Sequence, residues 1–217
     1  MMALRAPPGR AGRLWLVRRL EIARRGVEVL DQKRQTLLRE RQRLSEALDD
    51  SARAWEQKAR AAAEWNDRAL AIAGERRLQL AARHVADRCE VEVEWRNALG
   101  TVFPAGASVR PGLAADFVAP DFVSLGGGSA VALAARAHAG AVVAAADYAA
   151  ARAAHDAIAA ELTATTRRQR AIERRWIPEH EAALRRLELA LDDREREDIA
   201  RVRWAMRHQA RPADRVA

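Results

Sequence analysis

A single cysteine, Cys89, is all this chain of 217 residues offers in sulfhydryl chemistry, so neither an internal disulfide nor a cysteine-cluster zinc site is possible. Aromatic residues make up 5% of the composition. That is too few for a thick globular core and favours elongated helices. Lysine is almost missing: Lys33 and Lys58 are the only two among 38 basic residues, and the rest are arginine. The longest run without a charge, Phe122 to Ala135, is broken by three glycines. On that criterion no transmembrane helix is expected. The opening residues lack the apolar stretch of a secretory signal. The formal net charge of +8 points to acidic partners without saying which.

Alanine and arginine, both strong helix formers, dominate what is there. From Gly12 to about Ala86, leucines, valines and a tryptophan recur at steps of three, four and seven. One row reads Ala23, Leu30, Leu37, Leu44, Ser51; the other reads Leu20, Val27, Arg34, Arg41, Leu48, Trp55, Ala62. Two such rows form a coiled-coil seam with two arginine interruptions. Gly26 and Gly74 fall inside this pattern, each at a cost of about 1 kcal/mol relative to alanine. Around Cys89 to Trp95 the alternation CEVEVEW has the period of a half-buried strand. A turn at 97–100 and a return through Thr101, Val102 and Phe103 predict a β-hairpin. Pro104, Gly106, Pro111, Gly112 and Pro120 then break regular structure. The last segment begins alanine-rich at about Ser129 and continues as a seam through Leu162, Thr165, Gln169, Ile172, Trp176, His180, Leu184, Leu187, Leu191, Asp198 and Val202. Pro178 predicts a kink, because it lacks a backbone donor and clashes with the carbonyl of Arg174.

Neither helical segment buries its stripe alone. The expected fold is therefore all-α: a long two-helix antiparallel coiled coil with a small β-hairpin and loop inserted in its middle. The expected divisions are a loop at 1–11, a first helix at 12–86, a hairpin and loop region at 87–128, a second helix at 129–208 and a tail at 209–217. With both termini flush at one end, the register pairs Leu30 with Leu187 and Val27 with Leu191, and brings Trp15 near Trp204.

The stretch PPGRAGRLWLVRRLEIARRGVEVLDQKRQTLLRE resembles the opening of the D subunit of V-type and A-type rotary ATPases. The match lies in Pro8 and Arg10, Leu16 and Leu20, Arg25-Gly26, and Leu30 with Lys33-Arg34. A second stretch, from Thr166-Arg167-Arg168 through Ile177-Pro178 to Leu191–Arg203, resembles that family's C-terminal helix. Arg170-Ala171-Ile172 matches the usual pattern only in part, and neither the alanine-rich stretch nor the region 109–128 carries a motif of the family. The resemblance implies a central-stalk rotor shaft that does no chemistry of its own. It couples ATP synthesis or hydrolysis to proton or sodium transport and binds no cofactor. It also implies four kinds of partner: the A and B subunits of the catalytic head, the central-stalk F subunit, and a funnel-shaped subunit on the membrane ring. The complex sits on the cytoplasmic face of a cell membrane, with this chain peripheral and not inserted. The arginine and alanine bias suggests a GC-rich prokaryotic genome.

On that reading the seam comprises Leu20, Val27, Leu30, Leu37, Leu44, Leu48, Ile172, Trp176, Leu184, Leu187 and Leu191. The head contacts are Arg13, Arg18, Arg19, Arg24 and Arg25 on one helix and Arg201, Arg203 and Arg207 on the other. These arginines meet an acidic or carbonyl-lined sleeve, since arginine moves between acceptors without losing charge. The alternative reading makes them the wetted face of a helix. Other features carry less. Five scattered histidines include His180 on the seam, which suits packing better than metal ligation. Gly126 to Gly128 lack the Gly-Lys-Ser/Thr of a phosphate loop. The tryptophans suit seam filling, and no nucleophile–base set exists. Two further classes stay open: a self-assembling structural or adaptor coiled coil, and a nucleic-acid-binding one, the latter opposed by interleaved acids.

Overall fold

In a computed structural model, residues 7–84, 90–110 and 128–209 are described. Helix α1 runs Gly9–Ala73, α2 Glu75–His84, strand β1 Glu90–Ala98, β2 Thr101–Arg110, α3 Gly128–Ala171 and α4 Ile177–Gln209, with a π turn at Ile172–Trp176 between the last two. This is the all-α architecture of long helices with a small hairpin in mid-chain. The expected strand start at Cys89 and most of the expected 109–128 loop lie outside the described residues. Contacts group the chain into two units, Met1–Arg34 with Ala164–Ala217, and Gln35–Thr163.

In Gln35–Thr163 the core is thin. Leu37 and Leu44 of α1 pack against Ala154, Ile158 and Leu162 of α3, and Phe103 of β2 closes the cluster. The hairpin is thus pinned to the helices by one aromatic ring, with Ala98 beside it. A second cluster joins Ala69 to Ala130, Val131 and Ala134, flanked by Trp65 and Leu78. Small side chains let the two backbones approach, which is what the alanine-rich stretch supplies. Trp55 stacks on Tyr148 with centroids 5.3 Å apart. Arg43 donates to the Glu40 carboxylate at 2.6 Å, and with Arg96 nearby this holds the Glu40 pKa below its ordinary value.

The continuous helix from Gly128 to His208 contains an 18-residue window of mean hydropathy 1.4, of which 17% is buried. By length and composition alone such a helix is apolar enough to cross a membrane. A search for charge-free runs misses it because Arg136 and Asp147 punctuate the alanines. Here its N-terminal turns place Ala130, Val131 and Ala134 in the second cluster.

Two glycines expected inside one helix behave differently. Gly26 stays helical, whereas Gly74 takes φ +79° and ends α1. A Cβ would meet open space at both positions. Gly26→Ala should therefore raise the unfolding free energy by about 0.8 kcal/mol through helix propensity. Gly74→Ala should lower it by about 1 kcal/mol, because an L-residue pays to enter the left-handed region. Urea titrations of the two variants check the opposite signs. Equal shifts would show that the break at Gly74 is not set by its backbone conformation.

The helix runs on through Pro178 to Gln209. The disturbance lies one turn earlier, where Ile177 donates its N–H to the Ile172 carbonyl, five residues back. A proline that can neither donate nor tolerate the carbonyl four residues before it is accommodated by widening the preceding turn.

Candidate functional site

The candidate site is the unit built from the two ends of the chain, Met1–Arg34 and Ala164–Ala217. It holds 23 basic against 13 acidic residues, while Gln35–Thr163 holds 15 against 17. The positive charge of the protein is therefore concentrated here.

Its apolar seam is narrow. Leu16 and Leu20 are buried on α1, while Val27 and Leu30 are half-buried. On the opposing segment Ile172, Trp176, Leu184, Leu187 and Leu191 are half-buried, and Thr165 and His180 are buried. Of the remaining seam candidates, which belong to the other unit, Leu37 and Leu44 are buried and Leu48 is half-buried. His180 has a structural use: its Nδ1 lies 2.8 Å from the Trp176 carbonyl, and its ring stacks on the indole at 3.5 Å. Arg19 lies over both Trp15 (4.6 Å) and Trp176 (5.7 Å), bridging α1 to the π turn. Each such cation–π contact is worth about 0.5–1 kcal/mol at an exposed site.

The register differs from the flush-ended one. Arg10 pairs with Glu195 at 2.8 Å, Arg13 with Glu188 at 2.9 Å and Arg24 with Glu181 at 2.8 Å. Gln169 reaches Asp31 at 3.5 Å, and Gly12 lies beside Leu187. Leu187 thus faces the start of α1 and not Leu30. The displacement is about 15 residues, roughly four helical turns. The cause is at the chain ends. α1 begins only at Gly9, behind Pro7 and Pro8, whereas α4 continues to Gln209. Every residue from 192 to 208 is exposed, so Asp198 and Val202 do not continue the seam, and Trp204 stacks on His208 and not against Trp15. Gly12 is needed where it stands, because a Cβ there would run into the carbonyl oxygen of Pro7.

All eight arginines proposed as contacts are exposed, yet they are not equivalent. Arg13 and Arg24 are committed to cross-helix ion pairs, Arg19 to its two indoles, and Arg201 to Glu197 and Asp198 on its own helix. Arg18, Arg25, Arg203 and Arg207 make no ion pair among the described residues. Exposed ion pairs contribute only about 0.2–1 kcal/mol each, so the three cross-helix pairs set register more than they add stability. Leu16 is a buried seam residue outside the predicted seam, and the acceptors Glu181, Glu188 and Glu195 lie outside the predicted site. The glutamates carry a readable signal nonetheless, since they recur every seven residues along one edge of α4. Among the described residues no group of three His, Cys, Asp or Glu side chains comes together to hold a metal ion.

What the site can do chemically is present fixed positive charge on a two-helix support. Comparison with known proteins adds that a family model for the D subunit of ATP synthase matches residues 14–207. No curated protein matches the chain.

Proposed function

The chain belongs to the ATP synthase D-subunit family, and from that premise we propose that it is the central-stalk rotor of a V- or A-type complex, carrying torque between the catalytic hexamer and the membrane ring. Family membership makes it a component of a rotary ATPase, with partners inside a membrane-associated complex. The finer assignment is ours. The end formed by both termini enters the head of A and B subunits. The F subunit and the funnel subunit of the ring bind elsewhere along the shaft. The chain is peripheral on the cytoplasmic face, does not insert in the bilayer, binds no nucleic acid and does not catalyse. Coupling of ATP turnover to proton or sodium movement passes through it.

The observation that carries this reading is the pairing of the two chain ends into a basic, two-helix unit held by Arg10–Glu195, Arg13–Glu188 and Arg24–Glu181. Two antiparallel helices have no threefold symmetry. They offer three surrounding catalytic interfaces three different surfaces, and only such differential contact shifts conformational populations. Interlocked seam residues resist twist better than one helix does. Interleaved acidic residues such as Glu21, Glu28 and Glu173 argue against a phosphate-tracking surface.

Purification of this chain from its native membranes tests the reading. Head and ring subunits should travel with it in fixed proportion. Recovery of the chain alone, as a stable homodimer, would sink the rotor assignment in favour of an adaptor coiled coil.

A further inference from the structure

The hairpin carries features that a torque-bearing shaft does not need. β1 and β2 pair antiparallel, with Val91 opposite Val109, Val93 opposite Ala107, Trp95 opposite Pro104 and Asn97 opposite Val102. Opposed residues share a face. One face therefore gathers Val91, Val93, Trp95 and Val102, and all four are exposed, Trp95 to 65%. A single exposed apolar residue is ordinary; four contiguous ones on a two-stranded sheet form a patch. The other face of β1 carries Glu90, Glu92, Glu94 and Arg96, exposed as well, so three acids stand against one base.

The sheet has only two strands, so each has an open edge. The edges are unequal. β2 contains Pro104, which has no N–H, and its pairing slips at Glu94/Trp95, leaving Ala105 opposite no residue of β1. β1 runs nine residues without proline, so its row of backbone donors and acceptors is uninterrupted, and the charges that guard it are mostly acidic: Glu90, Glu92 and Glu94 with Arg96. An unblocked edge with an apolar row on one side is a template for a further strand.

Charge selects the occupant. A second copy of β1 would set glutamates against glutamates across the new pair, which is destabilising. A strand that alternates basic with apolar residues sets cations against Glu90 and Glu94 and lays its apolar row beside Val91, Val93 and Trp95. We propose that the open edge of β1 accepts, by strand addition, a segment of a partner protein in which basic and apolar residues alternate. This surface lies within Gln35–Thr163 and stands apart from the rotor reading, so either can fail without the other.

The test uses the full chain and a fluorescein-labelled peptide of alternating lysine and valine. Two controls accompany it: an alternating glutamate–valine peptide, and the lysine–valine peptide with alternate backbone amides N-methylated. The lysine–valine peptide should bind saturably, and both controls should bind at least about tenfold more weakly. In the Glu90→Lys/Glu94→Lys variant, with helicity checked by circular dichroism, the preference should invert toward the acidic peptide. Binding that survives N-methylation would overturn strand pairing, on the unaltered protein. Binding that ignores the two charge reversals would place the site elsewhere, and no binding at all would remove it.

Discussion

Leu37→Ala should lower the free energy of unfolding by about 3 kcal/mol, the middle of the range for buried leucine truncations. Leu37 is fully buried in the cluster with Leu44, Phe103, Ala154, Ile158 and Leu162. Its neighbours sit on three separate elements, α1, β2 and α3, each fixed by its own backbone, so the space is not readily refilled and a cavity persists. The same truncation at exposed Leu80 of α2 should cost less than about 0.5 kcal/mol, since little burial is lost. Urea denaturation followed by helical circular dichroism reads both. Comparable midpoints for the two variants would mean that this cluster does not hold the unit together. A selective loss of Trp55–Tyr148 stacking in Leu37→Ala would show instead how far along α1 the damage travels.

The second large effect concerns coupling. Charge reversal at Arg18 and Arg25 together should cut ion transport per ATP hydrolysed by about tenfold in the reassembled complex, a loss of roughly 1.4 kcal/mol in the coupling interaction. These two are better probes than Arg24. They lie seven residues apart on one face of α1 and make no ion pair among the described residues, whereas Arg24 is held by Glu181 at 2.8 Å. Reversal at Arg24 would break the register of the helix pair as well as any external contact, and the two losses would be indistinguishable. Arg76→Glu on α2, in the other unit, controls for a general effect of charge. Undiminished coupling in a complex that still assembles would leave Arg18 and Arg25 as wetted residues and take the head contact away from them.

Legibility varied by element. The 3.6-residue periodicity of Leu20, Val27, Leu30, Leu37 and Leu44 was enough to make α1 a helix with one apolar stripe, and the alternation EVEVEW was enough for β1. Both signals are local, and a local pattern dictates local structure. Register was not legible. Aligning the chain ends put Leu30 against Leu187, but a seam of leucines and alanines discriminates weakly between shifts of whole heptads. In the structure the seven-residue row Glu181, Glu188, Glu195 meets Arg24, Arg13 and Arg10, but Arg34, Arg25 and Arg18 would serve the same row in a shifted register, so the charges alone leave the alignment open. The π turn was half legible: Pro178 announced a disturbance, and packing decided that it would be a widened turn at Ile172–Trp176.

Among the arginines, sequence placed eight on helix surfaces, and that is where they are. It could not say which of them the chain consumes internally. Composition and periodicity alone settled that this is a chain of long helices interrupted by a hairpin, because backbone preference and stripe formation depend on neighbours a few residues apart. Tertiary structure alone decided the helix alignment, the overhang of α4 beyond Glu195, the burial of Phe103 and the division of arginines into committed and available. The helix alignment depends on side chains 157–185 residues apart, and Phe103 on residues of α1 and α3 to either side of the hairpin, where no sequence period reaches; Arg201, paired within its own helix, is the exception.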